Sequence, residues 1–269
     1  MFVDRRYKNF IIDMDGVIYR GNTPLPHSAE FINFLREIDA KVVFFSNNST
    51  LSRKQYVEKL SNMGIKAREE EIVSSGLITA YCLSKENPGA SLYVIGEEGL
   101  REELGQRGMN LVEVPPYQVD GVVVGMDRQF NFKKMSNAMR CILNGASFYG
   151  TNPDPSFPTE DGFMPGCGAI LASIEVSSGV KPRVFGKPYP ESLQFLLEIT
   201  GFEKEETVIV GDRLDTDIKL TEDFDLFSIL VLTGVSKKED LAHFSARPDM
   251  VVENLGVLKE LLSQNREVK

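Results

Sequence analysis

Short, largely apolar runs recur along the chain, each closed by polar residues or glycine. The clearest are Phe10-Ile11-Ile12, Val42-Val43-Phe44-Phe45, Leu92-Tyr93-Val94-Ile95, residues 119–124 and Thr207-Val208-Ile209-Val210, followed by 229–232 and 250–252. Runs of this length without polar alternation read as strands buried on both faces, as in a parallel sheet covered by helices. Segments of helical period lie between them. Ser52 and Gln55 have capping-box spacing, Tyr56, Val57, Leu60 and Met63 keep one face apolar, and Gly64 supplies the stop. Further helices are expected from Ser74 or Ser75 onward, over 97–107, 132–143 and 169–176, through Leu193, Leu196 and Leu197, and at the C-terminal end through Leu255, Leu258, Leu261 and Leu262. Regular strand–helix alternation implies right-handed crossovers and an α/β fold built on a parallel sheet.

The alternation is interrupted once. Asn87-Pro88-Gly89 punctuates the chain, a new strand–helix series begins, and a proline- and glycine-rich loop runs from Thr151 to Gly168. The first pattern resumes at Val184-Phe185-Gly186-Lys187-Pro188. Residues 80–180 therefore read as a second α/β unit inserted in a first one made of 1–79 and 181–269.

At 269 residues the chain can bury a large core, and its composition, 42% hydrophobic and 26% charged, is that of a globular protein. A formal charge of -9 argues against nucleic acid as a partner, which requires a basic face. No run approaches the length of a membrane span, and residues 1–15 hold two arginines and a lysine but no long apolar segment, so neither a membrane partner nor a secretory leader is expected. Cys82, Cys141 and Cys167 lack metal-ligand spacing and cannot all pair, which suits reduced thiols in a cytoplasmic protein.

The chemistry gathers where the apolar runs stop. Asp13 and Asp15 follow the first run, Ser46 and Asn47 the second, Lys187 the resumed pattern, and Asp212 with Asp217 the run at 207–210. The ends of parallel strands share one sheet edge, where open α/β sheets place their ligands. Two carboxylates as close as Asp13 and Asp15 resist joint ionisation and call for a cation, and hard oxygen ligands suit Mg²⁺. Taken alone, that stretch could equally be an Asp-Gly turn after a buried strand. Ser46 could cap a helix, and Lys187 could be solvated. Together the set suits phosphoryl transfer: a nucleophilic carboxylate, a carboxylate-held metal, a hydroxyl and amides for phosphate oxygens, and a lysine as point charge. Other motifs fail. Gly166-Cys167-Gly168 lacks a third glycine and a preceding strand, Gly186-Lys187 runs into Pro188, and His27 and His243 give a histidine triad or zinc site almost no material.

These stretches carry a resemblance. Asp13-Met14-Asp15-Gly16-Val17-Ile18-Tyr19, Phe45-Ser46-Asn47-Asn48-Ser49, Thr151-Asn152-Pro153-Asp154, Pro165-Gly166-Cys167-Gly168, Gly186-Lys187-Pro188 and Gly211-Asp212-Arg213-Leu214-Asp215-Thr216-Asp217 resemble the NagD-type phosphatases of the haloacid dehalogenase superfamily. Many relatives have threonine where Ser46 stands, and the hydroxyl is kept. The resemblance implies a Rossmann-like parallel-sheet core with an inserted α/β cap that closes over the site and sets specificity. It implies Asp13 as nucleophile and Asp15 as general acid and base. Mg²⁺ would be held by Asp13, the Asp15 carbonyl and Asp212, with Asp217 orienting that site. Ser46, the Asn47 amide and Lys187 would hold phosphate. Asp15 and Asp212 favour phosphate esters over carbon–halogen bonds, because the superfamily's dehalogenases lack both the Mg²⁺ site and an aspartate two residues after the nucleophile. Asp154 and Phe157, in the loop 154–162, are candidates for contacting the leaving group, although Phe157 could equally pack its own loop. The substrate expected is a small phosphorylated metabolite of sugar phosphate or nucleoside monophosphate type, acted on by a monomer or homodimer. A phosphotransferase with the same intermediate, or a silent phosphate-binding module, remains open.

Overall fold

The computed structural model describes residues 7–113, 117–159 and 162–267. Its strands, in chain order, are β1 (Asn9–Asp13), β2 (Tyr19–Arg20), β3 (Thr23–Pro24), β4 (Lys41–Ser46), β5 (Ile72–Ser74), β6 (Ser91–Ile95), β7 (Asn110–Val112), β8 (Gly121–Val124), β9 (Ser147–Gly150), β10 (Ser156–Thr159), β11 (Gly162–Pro165), β12 (Arg183–Val184), β13 (Thr207–Gly211), β14 (Phe227–Val231) and β15 (Met250–Val252). Two parallel sheets result. The first has the order β15-β14-β13-β1-β4-β5, with β1 flanked by β13 and β4, and the second has the order β12-β9-β8-β6-β7.

The period-two geometry of a strand explains why these runs are apolar throughout. In β1, Phe10 and Ile12 face one core with Phe31, Leu35, Tyr56 and Leu258, while Ile11 between them faces another. That second core continues through Leu77, Ile78 and Leu83 of the helix Ser75–Glu86 to Leu92, Val94 and Val123 of the second sheet. The far face of the second sheet is closed by the helices Phe132–Leu143 and Cys167–Ser178 through Ala138, Cys141, Ile170 and Ile174. The capping box at Ser52 and Gln55 is formed, and Ser74 caps the next helix by accepting from the Leu77 amide at 3.2 Å.

Three expectations are adjusted. The division at 79/80 falls inside the helix Ser75–Glu86. Arg183–Val184 does not resume the first sheet but pairs with Tyr149 and Gly150 at the edge of the second, so Lys187 follows a strand of the other sheet. The loop 151–168 also contains an antiparallel hairpin, β10 with β11, whose prolines and short strands, β11 exposed and β10 half-buried, hide the usual alternation. Glu160 and Asp161 of the loop 154–162 lie outside the described residues.

The helix Glu98–Gln106, which follows β6, packs closely on the loop after β4. The Gly99 amide donates to the Thr50 carbonyl at 3.0 Å, and a Cβ at Gly99 would collide with the Leu51 carbonyl. Gly99→Ala should therefore cost about 1–3 kcal/mol by overpacking rigid backbone. Thermal denaturation checks this, and an unchanged midpoint would show that the helix Glu98–Gln106 sits more loosely on the loop 49–51.

Candidate active site

Asp13 closes β1, the central strand of the first sheet, and is 8% exposed; Lys187, Asp212 and Asp217 are 2%, 0% and 3% exposed. Lys187 Nζ donates to Asp13 Oδ1 at 2.6 Å, to Asp217 Oδ1 at 2.6 Å and to the Phe45 carbonyl at 3.2 Å. Burial alone would lower the ammonium's pKa, but the Asp13 and Asp217 charges outweigh it and push it up. Burial raises Asp13 well above the usual carboxylate range; Lys187 opposes this, and Asp217 and Asp212 reinforce it.

Lys187 reaches this point without a strand of the first sheet to carry it. The Asn47 side chain does the work of a ladder. Its Oδ1 accepts from the Lys187 backbone N–H at 2.8 Å and its Nδ2 donates to the Lys187 carbonyl at 2.9 Å, so one carboxamide satisfies both backbone groups as a neighbouring strand would. Nδ2 also donates to Asp154 Oδ2 at 2.7 Å, and the Ser75 hydroxyl holds the Asn47 carbonyl at 2.5 Å. Ser46 ends β4 beside Asp13, and its hydroxyl accepts from the Asn48 amide at 3.0 Å.

Asp212 follows β13. Its Oδ2 accepts from the Val235 amide at 2.6 Å, whereas its Oδ1 is buried with no hydrogen-bond partner. Gly16 and Gly234 close around it: a Cβ at either would collide with Asp212 Oδ2, and Gly16 also has a φ of 89°, where side chains are strained. Asp13, Asp212 and Asp217 can each bring one oxygen within 4.8 Å of the others. Asp217 is already committed on both sides, with Oδ1 to Lys187 and Oδ2 to the Arg213 amide at 3.2 Å. The buried Oδ1 of Asp212 beside Asp13 therefore fits a hard divalent cation, with Asp217 orienting its neighbours.

Asp15 lines the same cavity, and Tyr19 Oη donates to its Oδ2 at 3.4 Å. Burial raises the Asp15 carboxyl, opposed by Lys59 and Lys187. The cavity is completed from the second sheet's side by Met126, Arg128, Asn152, Asp154 and Phe157. Every residue singled out by sequence thus borders this cavity except Asp212, which sits beneath it against Gly16 and Gly234. Two charged lining residues were missed. Arg213 holds Asp215 through Nε at 3.0 Å and Nη2 at 2.8 Å, and its Nη1 lies 3.6 Å from Asp154. Its place inside the Gly211–Asp217 motif was the available signal. Arg128 had none.

A buried carboxylate paired with a fixed ammonium, beside a carboxylate oxygen without a partner, at the carboxyl edge of a parallel sheet suits an enzyme acting on phosphoryl groups. Residues 10–110 match the family of haloacid dehalogenase-like hydrolases, and residues 184–258 match a HAD-hydrolase-like family. The chain is 40% identical over 258 residues to the acid sugar phosphatase of Staphylococcus saprophyticus, covering 96% of this chain and 99% of that one. Among solved structures it is similar to the p-nitrophenyl phosphatase from Archaeoglobus fulgidus (TM-score 0.87, 36% identity, covering 94% of this chain and 98% of that one). It is also similar to NagD from E. coli K-12 (TM-score 0.84, 35% identity, 93% and 97% covered). The chain belongs to the haloacid dehalogenase superfamily and is a NagD-type phosphatase. No helix among the described residues is long and apolar enough to cross a membrane.

Burial and the neighbouring Asp217 raise Asp212 from 3.8 to about 7. A folded-state pKa above the unfolded one contributes stability that is complete below about pH 4 and lost as pH rises through about 7. A divalent cation needs the ionised carboxylate, so its stabilisation should grow over the same window. The thermal midpoint should rise more on adding the cation at pH 8 than at pH 5, and Asp212→Asn should remove the difference. An equal rise at both pH values would contradict the assignment of Asp212 as a ligand.

Proposed function

We propose that this phosphatase hydrolyses small phosphate monoesters, of sugar phosphate or nucleoside monophosphate type, through an aspartyl-phosphate on Asp13 and with Mg²⁺ as its metal. The observation that carries this reading is the pairing of Asp13, fixed by Lys187 at 2.6 Å, with Asp15 in the same cavity, where burial favours a retained proton.

In the first step an Asp13 oxygen attacks phosphorus and the bond from phosphorus to the ester oxygen breaks, while Asp15 gives its proton to that departing oxygen. In the second step Asp15, now ionised, takes a proton from water as the water oxygen attacks phosphorus. The acyl-phosphate P–O bond then breaks, which frees inorganic phosphate and returns Asp13. Lys187 holds phosphate oxygens and keeps Asp13 aimed; the Ser46 hydroxyl and the Asn47 backbone amide complete the phosphate cradle. Asp13, the Asp15 carbonyl and Asp212 would hold Mg²⁺, and Asp217 would orient them. When bound, the ion neutralises phosphate charge, which a chain of net charge -9 otherwise repels. The region 80–180 serves as a cap that keeps bulk water from the site, with Asp154 and Phe157 on the leaving-group side. Three free thiols fit action in the reducing cytoplasm.

Asp13→Asn should abolish phosphate release with the fold intact by circular dichroism, and Asp15→Asn should lower kcat by roughly 10²–10⁴-fold. Phosphate release from p-nitrophenyl phosphate, with Mg²⁺ and with chelator, measures both. Full activity in Asp13→Asn would remove the nucleophile from the scheme.

A further inference from the structure

The second sheet brings its own carboxyl edge to the cavity. β6 runs into Glu97, β8 into Met126 and Arg128, and β9 into Asn152 and Asp154, and all of these except Glu97 line the space that holds Asp13. Parallel sheets receive ligands at that edge. The leaving group of an ester held at Asp13 therefore lies between two such edges, one presenting phosphate chemistry and the other presenting Arg128 and its neighbours.

The charges there are already matched. Each of the three cations in the described lining is paired: Lys187 with Asp13 and Asp217, Arg213 with Asp215 and Asp154, and Arg128 with Glu97. A leaving group with a second phosphate or a carboxylate would meet no uncommitted cation and would face Asp15 and Asp154. Hydroxyl groups meet no such repulsion. They can donate to the carboxylates and accept from the arginine.

Arg128 is arranged to donate. Its Nε reaches Glu97 Oε1 at 2.8 Å, its Nη2 reaches Glu97 Oε2 at 2.5 Å, and its backbone N–H reaches Glu97 Oε1 at 3.0 Å. A guanidinium carries five N–H groups, so this fork-to-fork pair leaves three for other acceptors on a head whose plane is held. Fixing the head in advance removes part of the entropy that a free arginine would lose on binding.

We propose that Arg128, clamped by Glu97, determines specificity for a neutral, hydroxyl-bearing leaving group, so that the substrates are phosphate monoesters of polyols and sugars and exclude molecules with a second anionic group. This rests on the hydrolase reading above and narrows it. Arg128 touches only the leaving group and takes no part in the phosphoryl step.

The test compares kcat/KM for a hexose monophosphate, the corresponding hexose bisphosphate and p-nitrophenyl phosphate. The unsubstituted enzyme should prefer the monophosphate to the bisphosphate by roughly tenfold or more. In Arg128→Ala the ratio of hexose monophosphate to p-nitrophenyl phosphate activity should fall roughly 10- to 100-fold, the range for losing a hydrogen bond from a charged donor. Glu97→Gln, which loosens the clamp and leaves the guanidinium, should shift the ratio the same way by less. Preference for the bisphosphate, or an unchanged ratio in Arg128→Ala, would overturn the proposal. If the unsubstituted enzyme hydrolyses none of the three, the hydrolase reading falls first and this one with it.

Discussion

Three buried carboxylates clustered around one buried ammonium, which pairs with two of them, set the terms for the rest of the structure. With all three ionised, Asp13, Asp212 and Asp217 would outnumber the single charge of Lys187 in a largely buried place. Such a cluster persists only if every oxygen is paired or reserved for a ligand. The fold answers group by group: Lys187 between Asp13 and Asp217, the Arg213 amide on Asp217, the Val235 amide on Asp212. Asp212 Oδ1 is left over. The carboxyl group that Lys187 does not pair and the unpartnered oxygen coincide in Asp212, and together they support a bound divalent cation there.

The same constraint explains the loops. Lys187 must enter a site built on the first sheet although its chain arrives from the second, and the Asn47 carboxamide makes the crossing possible by pairing with its backbone. Asn47 then reaches Asp154, which also accepts from Asn152 and approaches Arg213. The phosphate end of the cavity and the proposed leaving-group end are thus tied through a few side chains. In the proposed scheme the two ends divide the labour: charge at Asp13, hydrogen-bond donors at Arg128.

The strands were legible because burial on both faces demands continuous apolar residues, and β1, β4 and β13 could be read with their terminal Asp13, Ser46 and Asp212 in place. What local pattern carries is which residues end a strand. It does not carry which sheet the strand joins. Val184-Phe185 looks like any other apolar run, and only the pairing of β12 with β9 assigns it to the second sheet. The hairpin Ser156–Thr159 with Gly162–Pro165 was hidden because neither strand is buried enough to alternate. Arg128 was invisible for a different reason: its meaning depends on the second sheet's edge facing the first, a relation of tertiary structure. The capping box at Ser52 was the opposite case, since three residues of spacing contain the whole interaction.

In the proposed mechanism the phosphoryl group passes to Asp13 and then to water. The stereochemical course at phosphorus tests this most directly, read with an isotopically chiral thiophosphate monoester hydrolysed in labelled water. Two in-line displacements predict net retention of configuration. Net inversion would mean that water attacks the ester directly, and Asp13 would then be no more than a ligand and a charge.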